Sequence, residues 1–254
     1  MRIVVLLRLV PDLVEAPAIL PDGSGLDLAA TRLTLNELDG HALEQAILLK
    51  ERTAAEVTAI APGMSGAEDA LYAAAAGGAD RLLQLTGPPA VWLNSHALAR
   101  AFAVPIRPLA PDLVLVGVQA YDSVDGAVGP LLADLLGVPY LGYVAGVQTE
   151  DGMCLARKEY PGGLAAELRV QLPAVLGIQA AEAAPRYVAI SRIRQAMRTA
   201  KIETVPFGEV DESGGPRVSR LTLPETGERA RLLQGDSHEV ARQILDLFRE
   251  RGVL

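Results

Sequence analysis

Residues 111–140 read PDLVLVGVQAYDSVDGAVGPLLADLLGVPY, and the spacing inside this stretch decides the fold. Asp112–Gly117 (DLVLVG) is a short, nearly unbroken apolar run, the pattern of a strand buried on both faces of a parallel sheet. Gln119–Asp125 (QAYDSVD) is a polar turn just past the carboxyl end of that strand. Val128, Leu131, Leu132, Leu135 and Leu136 then recur at helical spacing and stop at Gly137. The stretch is strand, loop, helix.

The loop is placed to hold an anion. Gly126, Ala127, Val128 and Gly129 open the helix, and the first N–H groups of a helix have no internal partner. Gly126 and Gly129 bring no side chain to block approach, and Pro130 in the first turn lacks an N–H that would be idle there. Free amides at the positive end of a helix dipole suit a phosphate. Ligands in open α/β sheets lie at the carboxyl ends of strands, where this loop sits. An ordinary βα loop with a glycine-rich helix start is the competing reading, because the stretch matches neither a Walker loop nor GxGxxG.

Working outward, the flanks repeat the pattern. Arg2–Leu9 (RIVVLLRL) reads as a buried strand ended by Pro11-Asp12, and Pro21-Asp22-Gly23 marks a turn in a weakly patterned loop or hairpin over Val14–Thr31. Asn36 is placed to cap a helix whose apolar face is Leu38, Ala42, Leu43, Ala46, Ile47 and Leu49. Glu56–Ala61 is a second strand, and Ser65 with Glu68 forms a capping-box pattern ahead of Ala67–Ala76. Arg81–Leu85 is a third strand. Asn94-Ser95 starts a helix through Phe102 that Pro105 and Pro108 should break. Alternating strands and helices predict an α/β fold: an open, mostly parallel, doubly wound, Rossmann-like sheet.

Beyond Tyr140 the period changes. Tyr143–Gln148, Met153–Glu159, Glu167–Leu172 and Ala174–Gln179 read as strands separated by Glu150-Asp151-Gly152 and Pro161-Gly162-Gly163, which predicts an antiparallel extension. From Ala183 the sheet pattern fades into the extended Ala184-Pro185-Arg186-Tyr187 and the basic Ile190–Thr199. A polar stretch follows over Glu203–Leu223, with Gly208 and Gly214-Gly215. Asp236 or Ser237 caps a last amphipathic helix with Val240, Ile244, Leu247 and Phe248 on one face and Gly252 as its stop. The expected division is a nucleotide-binding domain over 1–182 and a carboxyl-terminal arm over 183–254, too polar to form a core and therefore packed on a partner chain.

Composition narrows the classes. The chain has 254 residues, half of them apolar, and a formal net charge of −8, so it carries no global positive field for nucleic acid. No run approaches the roughly 18 unbroken apolar residues of a membrane span, and Met1–Val10 reads as a first strand rather than a signal peptide. Cys154 is the single cysteine, which excludes an intrachain disulfide and suits the cytoplasm. It reads as a buried, inert thiol. His41, His96 and His238 lie in separate segments without metal spacing and read as surface residues. Asp122 and Asp125 read as turn caps rather than metal ligands.

The order of the pieces resembles the beta, or small, subunit of electron transfer flavoprotein. The resemblance is carried by Arg8-Leu9-Val10-Pro11-Asp12, by Asn36-x-x-Asp39 before Ala42-Leu43-Glu44-Gln45-Ala46, and by Gly77-Gly78-Ala79-Asp80-Arg81. It continues through Asp112–Gly117 with Gln119-Ala120-x-Asp122, Ala133–Pro139, Gly162-Gly163, Leu172-Pro173-Ala174-Val175 and Pro185-Arg186-Tyr187. The resemblance implies an electron carrier rather than an enzyme, paired with an alpha subunit whose FAD it covers. It implies AMP, or a second FAD in a bifurcating member, in the chain itself. It also implies flavin-dependent dehydrogenases and a quinone oxidoreductase as redox partners. The implied nucleotide contacts are Leu6, Asn36, Glu37, Leu38, Asp39, Pro62, Gly117, Gln119, Asp122, Val124, Asp125, Gly126, Ala127, Val128 and Gly129. The implied docking segment is Tyr187–Met197, with Tyr187, Ile190, Ile193 and Met197 as contacts. Arg186 is expected to pin the arm to Asp122 or another loop carboxylate. The chain departs from the family at Ala127 and Val128, where a polar pair is usual, at Arg8, where Lys is common, and at Pro161, where an acid is usual.

Two other classes use a similar sheet. An ATP pyrophosphatase needs a Ser-Gly-Gly-x-Asp-Ser loop after the first strand, where this chain has Leu9-Val10-Pro11-Asp12. A universal-stress nucleotide sensor is mimicked loosely by the spacing of Gly126, Gly129 and Gly137, but it leaves the antiparallel extension and the arm without a purpose.

Overall fold

The computed structural model describes residues 1–87, 93–123, 125–150, 152–207, 211–224, 230 and 232–254. Val124, the turn residue Asp151 and Gly208 lie outside the described residues. In chain order the elements are β1 (Arg2–Leu6), β2 (Leu9–Pro11), β3 (Leu33–Leu35), α1 (Glu37–Thr53), β4 (Glu56–Pro62) and α2 (Ala67–Gly77). Then come β5 (Arg81–Thr86), α3 (Ser95–Leu109), β6 (Leu113–Gly117), α4 (Val128–Leu136), β7 (Tyr140–Glu150), β8 (Met153–Tyr160) and β9 (Leu164–Gln171). The last are β10 (Ala174–Ile178), α5 (Ile190–Thr199), β11 (Ile202–Pro206) and α6 (Ser237–Glu250).

One nine-stranded sheet runs β11-β5-β4-β1-β6-β10-β7-β8-β9, and β2 and β3 form a small antiparallel pair. Neighbours from β11 to β7 are parallel, and β8 and β9 add an antiparallel hairpin at the far edge. The two-residue period of β1 explains why helices cover both faces. Ile3 and Val5 join the core beneath Ala46 and Ile47 of α1 and Leu71 and Ala74 of α2. Val4 and Leu6 join the core beneath Phe102 and Ile106 of α3 and Val128 and Leu132 of α4. Each such large side chain contributes about 1.5–3 kcal/mol by leaving water.

The path from β1 to β4 and β5 runs one way across the sheet, whereas β6 lies on the other side of β1. The crevice between the carboxyl ends of β1 and β6 is therefore the switch point where such sheets bind ligands.

Five local expectations are corrected. The first strand ends at Leu6, because the Arg8 main chain turns out of the sheet to meet Asp39 and β2 then pairs with β3. Helix α3 continues through Pro105 and Pro108 to Leu109. Each interior proline costs about 3 kcal/mol, but fully buried Phe102 and Ile106 hold the helix against the sheet. The cap of α2 is Gly66 at φ +83°, with no side-chain bond from Ser65. Ala174–Ile178 is not in the antiparallel extension but is inserted between β6 and β7, parallel to both. Finally, Ile202–Pro206, read as part of a polar stretch, is a strand paired with β5.

The chain separates into two compact units, Met1–Leu221 and Thr222–Leu254. Residues 183–221, counted with the arm in the sequence reading, belong to the first unit because β11 extends its sheet. The second unit contains α6, closed by a capping box between Asp236 and Glu239. Among the described residues no helix is long and apolar enough to cross a membrane.

Candidate nucleotide site

The site grows from one buried carboxylate. Asp39, in the first turn of α1, is fully buried and accepts the Arg8 main-chain N–H at 2.9 Å and the Gly117 N–H at 2.7 Å. It also accepts Arg8 Nε at 2.8 Å and Nη2 at 2.9 Å. Arg8 Nη2 donates as well to the Gly117 carbonyl at 2.7 Å. A single side chain thus ties together α1 and the carboxyl ends of β1 and β6. Gly117 is glycine because a Cβ there would lie 2.6 Å from Asp39 N and Oδ1. Beside it, Asn36 does not cap α1 with its side chain. Its amide instead donates to the Gln119 carbonyl at 3.1 Å.

Above this knot lies a pocket of about 430 Å³, walled by Arg8, Pro62, Ser95, Asp122, Asp125 and Val128 among others. It stands over the carboxyl ends of β1 and β4 and the loop that leaves β6, between the openings of α3 and α4. Asn94 caps α3 by accepting the Ala97 N–H at 2.9 Å. Ser95 donates its hydroxyl to Asp125. Asp122 is exposed as a residue, but the pocket walls take water from its carboxyl and push its pKa above the ordinary 3.8. Arg8 opposes that shift.

The opening of α4 differs in detail from the expected row of free amides. The helix begins at Val128, with Ala127 as cap and Gly126 at φ +60° before it. The Gly126 N–H donates to Ser123 Oγ at 3.1 Å and the Ala127 N–H to Asp125 Oδ1 at 3.2 Å. The positive end of the helix already attracts an anion, here the loop's own carboxylate. Gly129 faces inward, where a Cβ would lie 2.7 Å from the Tyr140 ring. Its lack of a side chain serves packing.

The structure brings Pro62, Asp122, Asp125 and Val128 together on the pocket wall. It places Leu6, Asn36, Asp39 and Gly117 in the buried layer around the knot, and Leu38 is half-buried. Glu37 and Gln119 are exposed. Asn94, Ser95 and Arg8 also line the pocket, although the sequence marks the first two only as a helix start and Arg8 only through the family resemblance; Ser123, inside the loop already singled out, lines it too. The signal for Asn94-Ser95 was present: they open the helix that follows strand β5 in the chain, as the glycine loop opens the helix that follows β6.

Elsewhere, Arg186 pairs not with Asp122 but with α1. Its Nη2 lies 2.8 Å from Glu44 Oε1 and its Nη1 2.7 Å from Glu51 Oε1. Tyr187, Ile190 and Met197 are exposed, and Ile193 is half-buried. His41 is half-buried and accepts the Ala181 N–H at 3.3 Å, and His96 is also half-buried, so only His238 is the exposed residue expected. Cys154 is buried, and that burial pushes its thiol up to about 11. Among the described residues no cluster of His, Cys, Asp and Glu is placed to hold a metal ion.

Residues 26–210 match the electron transfer flavoprotein domain. The chain is 31% identical to the electron transfer flavoprotein subunit beta of Methylophilus methylotrophus, with 98% of each chain covered. It is 30% identical to the corresponding subunit of Clostridium acetobutylicum, again over 98% of each. It is 27% identical to the acryloyl-CoA reductase electron transfer subunit gamma of Anaerotignum propionicum, over the whole of both chains. A domain match over most of the sequence and end-to-end similarity to these carriers carry one conclusion: this chain belongs to the electron transfer flavoprotein family as a beta subunit, an electron carrier rather than an enzyme.

Proposed function

We propose that this beta subunit holds one adenine nucleotide in the pocket above Arg8 and Asp39, and that it pairs with an alpha subunit whose FAD it covers. The observation that carries this reading is the position of the pocket, at the switch point of the sheet and between two helix openings. Its walls fit a nucleotide. Asp122 offers a carboxylate for ribose hydroxyls, Ser95 and Ser123 offer hydroxyls, and Asp125 occupies the helix opening as the anion that a phosphate would replace. A volume of about 430 Å³ lies near the lower end of the range for small-ligand sites, which favours AMP over a second FAD.

When bound to the alpha subunit, FAD supplies the centre that takes up and releases electrons. The residues of this chain act around it. Arg8 and Asp39 fix the carboxyl edge of the sheet. The Arg186 bonds to Glu44 and Glu51 set where Tyr187, Ile190 and Met197 emerge as a docking surface for flavin-dependent dehydrogenases, with half-buried Ile193 in the same segment. A quinone oxidoreductase is the proposed acceptor. Residues 222–254 serve as the part of the arm that packs on the companion chain, through the apolar face of α6 with Ile244, Leu247 and Phe248.

Coexpression with the companion subunit tests this. The full chain should yield a yellow complex with FAD absorbance, and a chain ending at Leu221 should lose the companion. A colourless product, or a truncated chain that still retains the companion, contradicts the reading.

A further inference from the structure

We propose that residues 211–221 are a strap that closes the nucleotide pocket, and that Arg217 on it supplies the positive charge facing the phosphate. This rests on the nucleotide reading above and adds to it a residue beyond the 26–210 that match the family domain.

The strap is built in at both ends. Arg100 Nη1 donates to the Asp211 carbonyl and, at 2.8 Å, to that of Ser213. Asn94 Nδ2 donates to the carbonyls of Glu212 at 3.1 Å and Gly214 at 3.0 Å. The glycine pair then lies close against the His96 ring: a Cβ on Gly214 would sit 2.9 Å from Nδ1, and one on Gly215 2.7 Å from Cδ2. At the other end the Leu221 N–H donates to the Gly23 carbonyl at 2.8 Å. Between these ties Pro216, Arg217 and Val218 wall the same pocket as Arg8 and Asp122. The strap therefore spans from the opening of α3 to the turn at Gly23, across the mouth of the site.

Charge decides what Arg217 does there. The guanidinium of Arg8 is neutralised by Asp39 at 2.8 Å. Among the described residues, the remaining charged wall residues are Asp122, Asp125 and Glu212 against Arg217. A carboxylate can accept from a sugar hydroxyl, but it repels a phosphate. Among the described residues Arg217 is the wall cation left to meet one, and charge-assisted bonds of this kind are the strong ones.

Calorimetric titration of the full-length chain in its complex, freed of bound nucleotide, tests the assignment with AMP and adenosine as probes. Arg217→Ala should weaken AMP binding about tenfold, the equivalent of roughly 1.4 kcal/mol, while adenosine binding stays within about twofold. Arg217→Lys should retain most of the AMP affinity. Arg100→Ala, which frees one end of the strap without touching the pocket, should speed AMP release. Equal losses for both probes, or no loss for either, would overturn the inference while leaving nucleotide binding intact. A wild-type complex that binds neither probe would overturn the nucleotide reading itself.

Discussion

Tyr140 and Gly177 are fitted to each other across β7 and β10: a Cβ at Gly177 would lie 2.5 Å from the Tyr140 hydroxyl oxygen. The same ring crowds Gly129 at the start of α4 and Gly142 on its own strand, so three glycines make the space it fills. Gly177→Ala should destabilise the protein by about 1–3 kcal/mol through overpacking. Tyr140→Phe removes the nearest obstacle. The double variant should therefore be more stable than the sum of the two single effects predicts, by at least about 0.5 kcal/mol in urea unfolding. Strict additivity would show that the two residues do not press on each other.

The Arg8–Asp39 pair makes the opposite kind of prediction. Asp39→Ala leaves a buried guanidinium without its partner, and also leaves two main-chain N–H groups without an acceptor. A loss of about 3–5 kcal/mol is expected. Replacing both residues by apolar ones, Arg8→Met with Asp39→Leu, should cost less than Asp39→Ala alone, because no charge is left stranded. Chemical denaturation of the three variants decides the point.

Arg52 and Glu182 give a pH signature. The hydrogen bond from Arg52, 2.6 Å at its shortest, is the first cause holding Glu182 below the ordinary 4.5. A depressed carboxylate contributes stability that is present above its unfolded pKa and lost as pH falls through the folded one. Both side chains are partly open to solvent, so the pair is worth about 0.2–1 kcal/mol. Arg52→Ala should therefore lower Tm at pH 7. The gap from wild type should begin to close below about pH 4.5 and vanish in stronger acid, and salt should shrink it. A gap that widens on acidification has the wrong sign for this account.

Cys154 should be silent in the native state. Its thiol is buried and shifted up to about 11, so iodoacetamide at pH 8 should leave it unmodified until the protein is unfolded. Rapid labelling of the folded chain would show that the hairpin opens.

The parts of this fold that were legible in sequence are those where burial dictates composition. DLVLVG could only be a strand covered on both faces, and the leucines of α4 could only be one face of a helix that ends at Gly137. What stayed hidden depends on neighbours that a linear pattern does not name. Ala174–Ile178 is as unbroken an apolar run as β6, yet its place between β6 and β7 follows from sheet order rather than from its own residues. Ile202–Pro206 is an edge strand, half solvated, and so carries only a faint alternation. The strap was unreadable for another reason. Asn94 and Arg100 hold it by its carbonyls, which every residue possesses. At the glycine loop the sequence reading found the right junction but assigned Gly129 to ligand access, when the neighbour that requires it is Tyr140.

This subunit is proposed to carry an adenine nucleotide at the edge of its sheet. Denaturing the purified complex and identifying the released small molecules by mass spectrometry tests it most directly. AMP is expected in a one-to-one ratio with this chain, beside the FAD of the companion subunit. Release of flavin with no second adenine nucleotide would contradict it.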